Sequence, residues 1–247
     1  MTARLSDSLQ PLAQVEIAAA DALLVRFANR IDRKINAQVL ALRDVLQQRQ
    51  QSGQWPWLLE LAPAYHSLLV QLDIRHILPD AAQHQLQQLL AQPALVLQLQ
   101  AATPASKPDT IHQIDVCYHP ELAADLQAIA SAANLSVAEV IALHTQPTYH
   151  VYALGFAPQF AYLGDVPEPL RMPRLATPRQ QVPAGSVAIA NQQTAIYPRT
   201  SPGGWQLIGR AVSWPQLQAG DQVRFRSISL SHYQQAAAAI HSASARE

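Results

Sequence analysis

Six of the chain's eight glycines fall between Gly155 and Gly209, and no other feature restricts its folding so strongly. The stretch reads GFAPQFAYLG, then RMPRLATPRQQVPAGSVAIA, then NQQTAIYPRTSPGGWQLIG. Glycine enters backbone conformations closed to other residues, and proline fixes φ, so a segment dense in both must turn often or approach something closely. Aromatic residues and arginines stand between the turns. The pattern predicts short strands split by turns, a rigid β scaffold that carries a binding surface.

The rest of the chain is rich in Leu, Ala and Gln and suited to packing. Its 247 residues fit one large domain or two of ordinary size, with a real core. Apolar residues make up 49% and charged residues 14%, which excludes disorder. A net charge of zero gives no global pull toward nucleic acid or acidic membranes. It also leaves little colloidal repulsion, as suits a protein held in a complex. Cys117 is the only cysteine, so no internal disulfide forms, and its IDVCY setting reads as a small buried apolar residue. MTARLSDSLQ lacks the apolar core of a signal peptide, and no run reaches 18 apolar residues, so the expected location is cytoplasmic with no membrane span.

Residues 11–28 hold two apolar runs that predict a strand hairpin. In DRKINAQVLALRDVLQQRQQ, Ile35, Val39, Leu42 and Leu46 recur at helical spacing, with Asp32 as N-cap and Ser52-Gly53 at the end. WPWLLELA and SLLVQLD read as strands around a PAYH turn, DAAQHQLQQLLAQ as a helix capped by Asp80, and ALVLQLQ as a further strand. The resulting β-α-β-β-α-β order predicts a ferredoxin-like α/β domain over residues 1–100. AATPASKPDT, residues 101–110, is the best linker in the chain. A second domain, residues 111–230, starts with strand IHQIDVCY and two helices, PELAADLQAIASAA with Pro120 at its first position and SVAEVIALH with a Ser136/Glu139 capping box. TYHVYALGF, the turn-rich stretch and GDQVRFRSIS supply its strands. Residues 231–247 form a terminal helix and tail. The fold class is therefore α+β.

Phosphate-binding GxxxxGK[ST], GxGxxG, GxSxG, HExxH and paired cysteines are all missing. His144 ends a predicted helix and is either a general base or substrate contact, or a cation compensating the helix dipole. Arg174, Arg179, Arg199 and Arg210 lie in the turn-rich stretch with Asp165 and Glu168 among them. Guanidinium groups suit carboxylate or phosphate oxygens, so these are anion contacts or ordinary solvated charge. Phe156 and Phe160 fit a barrel core, whereas Tyr197 and Trp205 fit the core or a contact surface.

The motifs GFAPQFAYLG, PRLATPR, VPAGSVAIA, QTAIYP and SPGGWQLIGR, with DALLVRFANRID, INAQV and PAYHSLLV before them, closely resemble the allophanate hydrolase subunit 1 or KipI family over roughly residues 12–230. The resemblance implies a small α/β N-terminal domain followed by a cyclophilin-like β-barrel. Enzymatic members of that family serve as the B component of 5-oxoprolinase. With A and C components they open 5-oxo-L-proline to L-glutamate at the expense of ATP, taken with Mg2+, and are inactive alone. One relative instead inhibits a sensor histidine kinase, and a purely structural component is a third reading.

Under the enzyme reading, partner subunits handle the nucleotide and this chain supplies part of a pocket shared with the C component. Arg174 and Arg179 would contact an anion, with Ser186, Gln193, Tyr197 and Ser201 as hydrogen-bond partners. Gly203, Gly204 and Trp205 would shape the wall, with His144 nearby. The chain departs from the family's glycines at Gln159 in GFAPQF, at several positions from Ala188 to Ala195 that include Asn191 and Ala195, and from Tyr118 to Leu126, where the family has a glycine-rich YGG..GPDL. Glycine replacement costs on the order of 1 kcal/mol only where φ is positive.

Overall fold

A computed structural model describes residues 12–104 and 111–244. The chain divides into two compact units, Met1–Ala105 and Ser106–Glu247. Most of the expected linker, residues 105–110, lies outside the described residues, as do residues 1–11 and 245–247.

The first unit opens with the expected hairpin, β1 (Gln14–Ala19) and β2 (Ala22–Arg26). Helix α1 (Arg33–Gln51) follows, and the Asp32 carboxylate accepts from the amides of Lys34 and Ile35. That cap satisfies two donors that no helical carbonyl reaches. β3 (Leu58–Ala64) and β4 (Ser67–Leu72) pair around a turn in which Tyr65 has φ +46°, and the buried Asn36 amide holds the Tyr65 carbonyl at 2.7 Å. Helices α2 (Pro79–Leu90) and α3 (Pro93–Ala101) complete the unit. Its sheet is antiparallel in the order β1-β2-β4-β3. Leu23, Val25, Leu68 and Val70 pack with Leu42, Leu46, Leu86 and Leu99 from all three helices.

Two sequence expectations fail here. ALVLQLQ is helix α3 and not a strand, so the order is β-β-α-β-β-α-α and the expected β-α-β-β-α-β sequence is absent. Leu95, Leu97 and Leu99 alternate as in a strand, but positions 95 and 99 are also four apart and share a helix face. Those two are buried, while Leu97 is 66% exposed, and Pro93 occupies a helix start it suits. Asp80 does not cap α2. Leu78 is at the cap, Pro79 starts the helix, and Asp80 sits in the first turn where the helix dipole favours it.

In the second unit β5 (Ile111–Cys117) leads to α4 (Leu126–Ala133) and α5 (Val137–Thr145), the latter with the predicted Ser136/Glu139 capping box. α4 starts six residues beyond Pro120, which lies in a turn, because Asp125 is bonded to another strand. Then come β6 (Tyr149–Leu154), β7 (Ala161–Gly164), a 3-10 turn at Glu168–Leu170, β8 (Arg179–Val182), β9 (Ser186–Ala190) and β10 (Gln193–Ile196). β11 (Ser201–Gly203), β12 (Gln206–Ala211), β13 (Gln222–Ile228) and α6 (Leu230–Ser244) end the unit. Seven strands run in the order β6-β13-β5-β12-β9-β10-β7, and β7 pairs back to β6. The closed barrel fits the cyclophilin-like fold implied by the resemblance. Only β5–β13 is parallel among its neighbours. β8 and β11 form a separate two-stranded sheet.

Side chains alternate along each strand, so the barrel wall has two distinct faces. One set draws on all seven strands, including Ile114, Val116, Tyr149, Val151, Leu163, Val187, Ile189, Ile196, Ile208 and Phe225, and is therefore the interior. The alternate set on β9, β10 and β12 (Ala188, Ala190, Ala195, Tyr197 and Leu207) packs outside with Phe160, Val182 and Trp205.

Candidate functional site

The outer cluster gathers most of the sequence-predicted site. Its floor consists of the small side chains Ala188, Ala190 and Ala195, which leave room for aromatic rings above them. Phe160 is the hub, meeting Phe156 at 5.2 Å, Tyr162 at 5.0 Å, Tyr197 at 5.4 Å and Trp205 at 5.9 Å between ring centroids, all edge to face. Such edge-to-face pairs set the positive rim of one ring against the negative face of the next. Phe160 is core as expected, but Phe156 is not: it is 63% exposed. Tyr197 and Trp205, left open between core and surface by the sequence, are both buried.

The turns around this cluster are conformationally unusual. Phe156 (φ +66°), Gln159 (+65°), Asp165 (+70°) and Asn191 (+52°) all occupy the left-handed region without being glycine. Residues in that region cost energy that the surrounding structure must supply, and they collect at functional sites. Among the positions where the family's glycine is replaced, Gln159 and Asn191 are thus the strained kind; Ala195 is not. Close approach explains another glycine. A Cβ on Gly203 would run into the Tyr197 hydroxyl, so β11 can lie on that ring only without a side chain.

The two favoured arginines have different surroundings. Arg174 is exposed, with its guanidinium carbon 6.0 Å from the Trp205 ring centroid, and no carboxylate pairs with it among the described residues. Arg179 is committed: Nη2 bonds Asp125 Oδ1 at 2.6 Å and Nη1 reaches the Trp205 carbonyl at 3.4 Å. Its charge is therefore largely balanced within the chain. Burial raises the Tyr197 phenol above its ordinary value, against a Trp205 backbone hydrogen bond and the charges of Arg174 and Arg179. Burial also raises Tyr162, and Arg174 opposes it. Both phenols stay protonated near neutrality.

Ser186 lies on the same outer face as Tyr197, buried, with no partner for its Oγ. A serine without a hydrogen-bonded base is no activated nucleophile. Gln193 is half-buried on β10, facing the same way as Ala195 and Tyr197. Ser201 pairs with Val182 in the small sheet, and Gly204 carries the carbonyl that fixes the Leu175 amide at 2.7 Å. Arg199 is exposed, and Arg210 stands across from Ser186 on β12.

His144 does not belong to this site. It is wholly buried on the other side of the barrel wall, stacked on Phe225 at 4.7 Å. Its Nδ1 is 2.8 Å from the Tyr118 hydroxyl and its Nε2 is 3.2 Å from Thr194 Oγ1, which itself donates to the Ala188 carbonyl at 3.0 Å. Because Thr194 spends its proton on Ala188, the donor chain assigns Tyr118 O–H to Nδ1 and Nε2–H to Thr194. Burial lowers the His144 pKa to about 3. Uncharged, it does not compensate the helix dipole, and wholly buried behind the barrel wall, it does not meet substrate, so both sequence readings are corrected.

Asp125 is the residue the sequence did not reveal. Its Oδ2 accepts from the Leu207 amide at 2.6 Å, its own amide donates to the Leu207 carbonyl at 2.8 Å, and Oδ1 holds Arg179. Its partners are 54 and 82 residues away, so no local pattern could have found it. At its surface the cluster presents the exposed Phe156 ring, the half-buried Tyr162 and, in Arg174, an uncompensated cation, with Phe160, Tyr197 and Trp205 packed beneath. Such a surface suits a ligand with an apolar ring and an anionic group; among the described residues it holds no paired nucleophile and base for bond-making.

The family described as "Carboxyltransferase domain, subdomain C and D" matches residues 13–219. The chain is 35% identical over 239 residues to the 5-oxoprolinase B subunit of Bacillus subtilis, covering 89% of this chain and 95% of that protein. Among solved structures it resembles TTHA0988, with TM-score 0.67 and 33% identity over 85% of this chain. It spans only 40% of the TTHA0988 chain. The urea amidolyase of K. lactis shares the fold, with TM-score 0.63 at 15% identity, over 90% of this chain and 15% of that one.

Proposed function

The chain belongs to the carboxyltransferase-domain family of subdomains C and D, and we propose that it serves there as the B component of a 5-oxoprolinase. In this reading it works with A and C components, in the cytoplasm, to open 5-oxo-L-proline to L-glutamate at the expense of ATP. The near-full-length likeness to a 5-oxoprolinase B subunit supports it, and nothing favours the kinase-binding alternative. One geometric observation carries the chemistry: exposed Arg174 over Trp205, at a cluster whose accessible rings are Phe156 and Tyr162. A five-membered lactam is small and flat and bears one carboxylate. It would lay its ring against Phe156 and Tyr162 and its carboxylate on the Arg174 guanidinium, with Gln193 and Ser201 as polar neighbours.

ATP and its Mg2+ are assigned to the partner subunits. The glycines of this chain are spent on turns and close packing against Tyr197 and Tyr152, and among the described residues no group of three or more His, Cys, Asp or Glu is placed to hold a metal. This subunit contributes binding and orientation; no bond-making step is assigned to its side chains.

Reconstitution of the chain with its A and C partners tests the reading. ATP-dependent glutamate release that requires all three proteins is expected. Arg174→Ala should raise KM for 5-oxoproline about tenfold, the loss of one charge-assisted hydrogen bond at about 1.4 kcal/mol per decade. An assembled complex without turnover would remove the enzyme reading, and an unchanged KM in the variant would remove Arg174 from the site.

A further inference from the structure

We propose that Asp125 is a positioning residue for the aromatic site, holding Arg179 and the Trp205–Leu207 backbone in one fixed arrangement. The inference rests on the binding role given above to the outer face of the barrel. Three separate bonds converge on this single residue: Oδ1 to Arg179 at 2.6 Å, Oδ2 from the Leu207 amide at 2.6 Å, and its own amide to the Leu207 carbonyl at 2.8 Å. Arg179 in turn reaches the carbonyl of Trp205 at 3.4 Å. One carboxylate thereby ties the start of α4 to β8 and β12, elements more than fifty residues away in the chain.

The local sequence shows what this arrangement displaces. Asp125 would fall inside a helix beginning at Pro120, yet α4 starts only at Leu126, and the Asp125 carboxylate caps no helical amide. A capping bond is worth about 1 kcal/mol to a helix, and here the carboxylate is turned to β12 and Arg179 instead. The Asp125 side chain is 12% exposed and that of Arg179 28%, so the pair is screened from solvent more than a surface ion pair is. A guanidinium held by a carboxylate on one side and a carbonyl on the other has few rotamers left. Trp205, whose ring forms the wall beneath Arg174, is held between that carbonyl contact and the clamped Leu207. Asp125 touches no ligand in this scheme; it acts through Arg179 and Trp205.

The test uses the full chain labelled with 5-fluorotryptophan, whose four tryptophans give four 19F resonances, with Trp205 assigned by Trp205→Phe. Asp125→Asn, which keeps an acceptor for the Leu207 amide but presents no charge to Arg179, should shift or broaden the Trp205 signal while leaving the other three in place. Arg179→Gln should move the same signal, and the double variant should look like Arg179→Gln alone. In the reconstituted enzyme, Asp125→Asn should raise KM about tenfold with kcat within twofold, and adding Arg179→Gln should not multiply the effect. An unmoved Trp205 resonance in Asp125→Asn overturns the proposal whether or not the complex turns over 5-oxoproline. Multiplicative KM effects in the double variant overturn it as well. If wild-type complex shows no turnover while the 19F shifts appear as described, the substrate reading fails and the positioning role stands.

Discussion

Replacing Gln159 by glycine should stabilise this protein, whereas the same replacement at Ala195 should destabilise it. Both positions carry a residue where the family has glycine, so likeness to relatives alone would predict the same sign. Backbone geometry predicts opposite signs. Gln159 has φ +65° and an exposed side chain, so its removal relieves a left-handed conformation worth roughly 1–2 kcal/mol and uncovers nothing. Glycine's greater freedom in the unfolded chain returns about 0.4–1 kcal/mol of that. The net gain is about 0.5–1 kcal/mol, or roughly 1–4 °C in Tm for a chain of this size. Ala195 is fully buried on β10 outside the left-handed region. There the glycine gives up a buried methyl at about 0.8 kcal/mol and adds flexibility at about 0.5–1 kcal/mol, lowering Tm by roughly 3–7 °C. Asn191→Gly should fall between them, because asparagine tolerates its φ of +52° better than glutamine tolerates +65°. Scanning calorimetry of the three variants decides the matter. A lower Tm for Gln159→Gly, or equal signs at 159 and 195, would refute the backbone account.

Acid should expose the state of His144. Its folded pKa is about 3, below the ordinary 6.5, so between those values the unfolded chain binds a proton that the native chain refuses. Stability is therefore fully present above about pH 6.5 and is lost as pH falls toward 3, by an amount on the order of 4 kcal/mol. Urea unfolding from pH 7 to 4 should show this slope, and His144→Gln should flatten it; an equal slope in the variant would mean that the imidazole takes up its proton alike in the folded and unfolded chain. The helical reading of residues 93–101 separates two leucines that look alike in sequence. Leu97→Glu should leave Tm within about 1 °C, while Leu99→Ala should cost about 2–5 kcal/mol; a strand with its three leucines on one face would make both costly.

What the sequence disclosed and what it withheld divides along the distance between interacting residues. The Asp32 cap, the Ser136/Glu139 capping box and the spacing of Ile35, Val39, Leu42 and Leu46 are bonds and faces made within a few residues, and each was legible. The alternation of Leu95, Leu97 and Leu99 misled because a spacing of four satisfies both a strand and a helix face. His144 had a legible address at the end of α5 and an illegible environment, since Thr194 and Phe225 come from distant strands. The binding stretch was visible as a cluster of glycine, proline, aromatic and arginine residues. Its division into an exposed Arg174 and a neutralised Arg179 was not, because Asp125 lies outside the stretch altogether.

The parallel contact between β5 and β13 joins the first strand of the second unit to its final one. β13 also lies against β6, so it stands between two strands that were made roughly seventy residues or more earlier. During synthesis β5 and β6 therefore emerge with unsatisfied backbone edges, and no stretch of chain before residue 222 fills the gap. The newborn unit is an open, curved sheet with two adhesive borders until that closing strand arrives. Emergence of β13 from the ribosome, more than the making of any one helix, is then the event that turns it into a barrel. A truncation that stops short of β13 would leave an edge ready to recruit a strand from a neighbour.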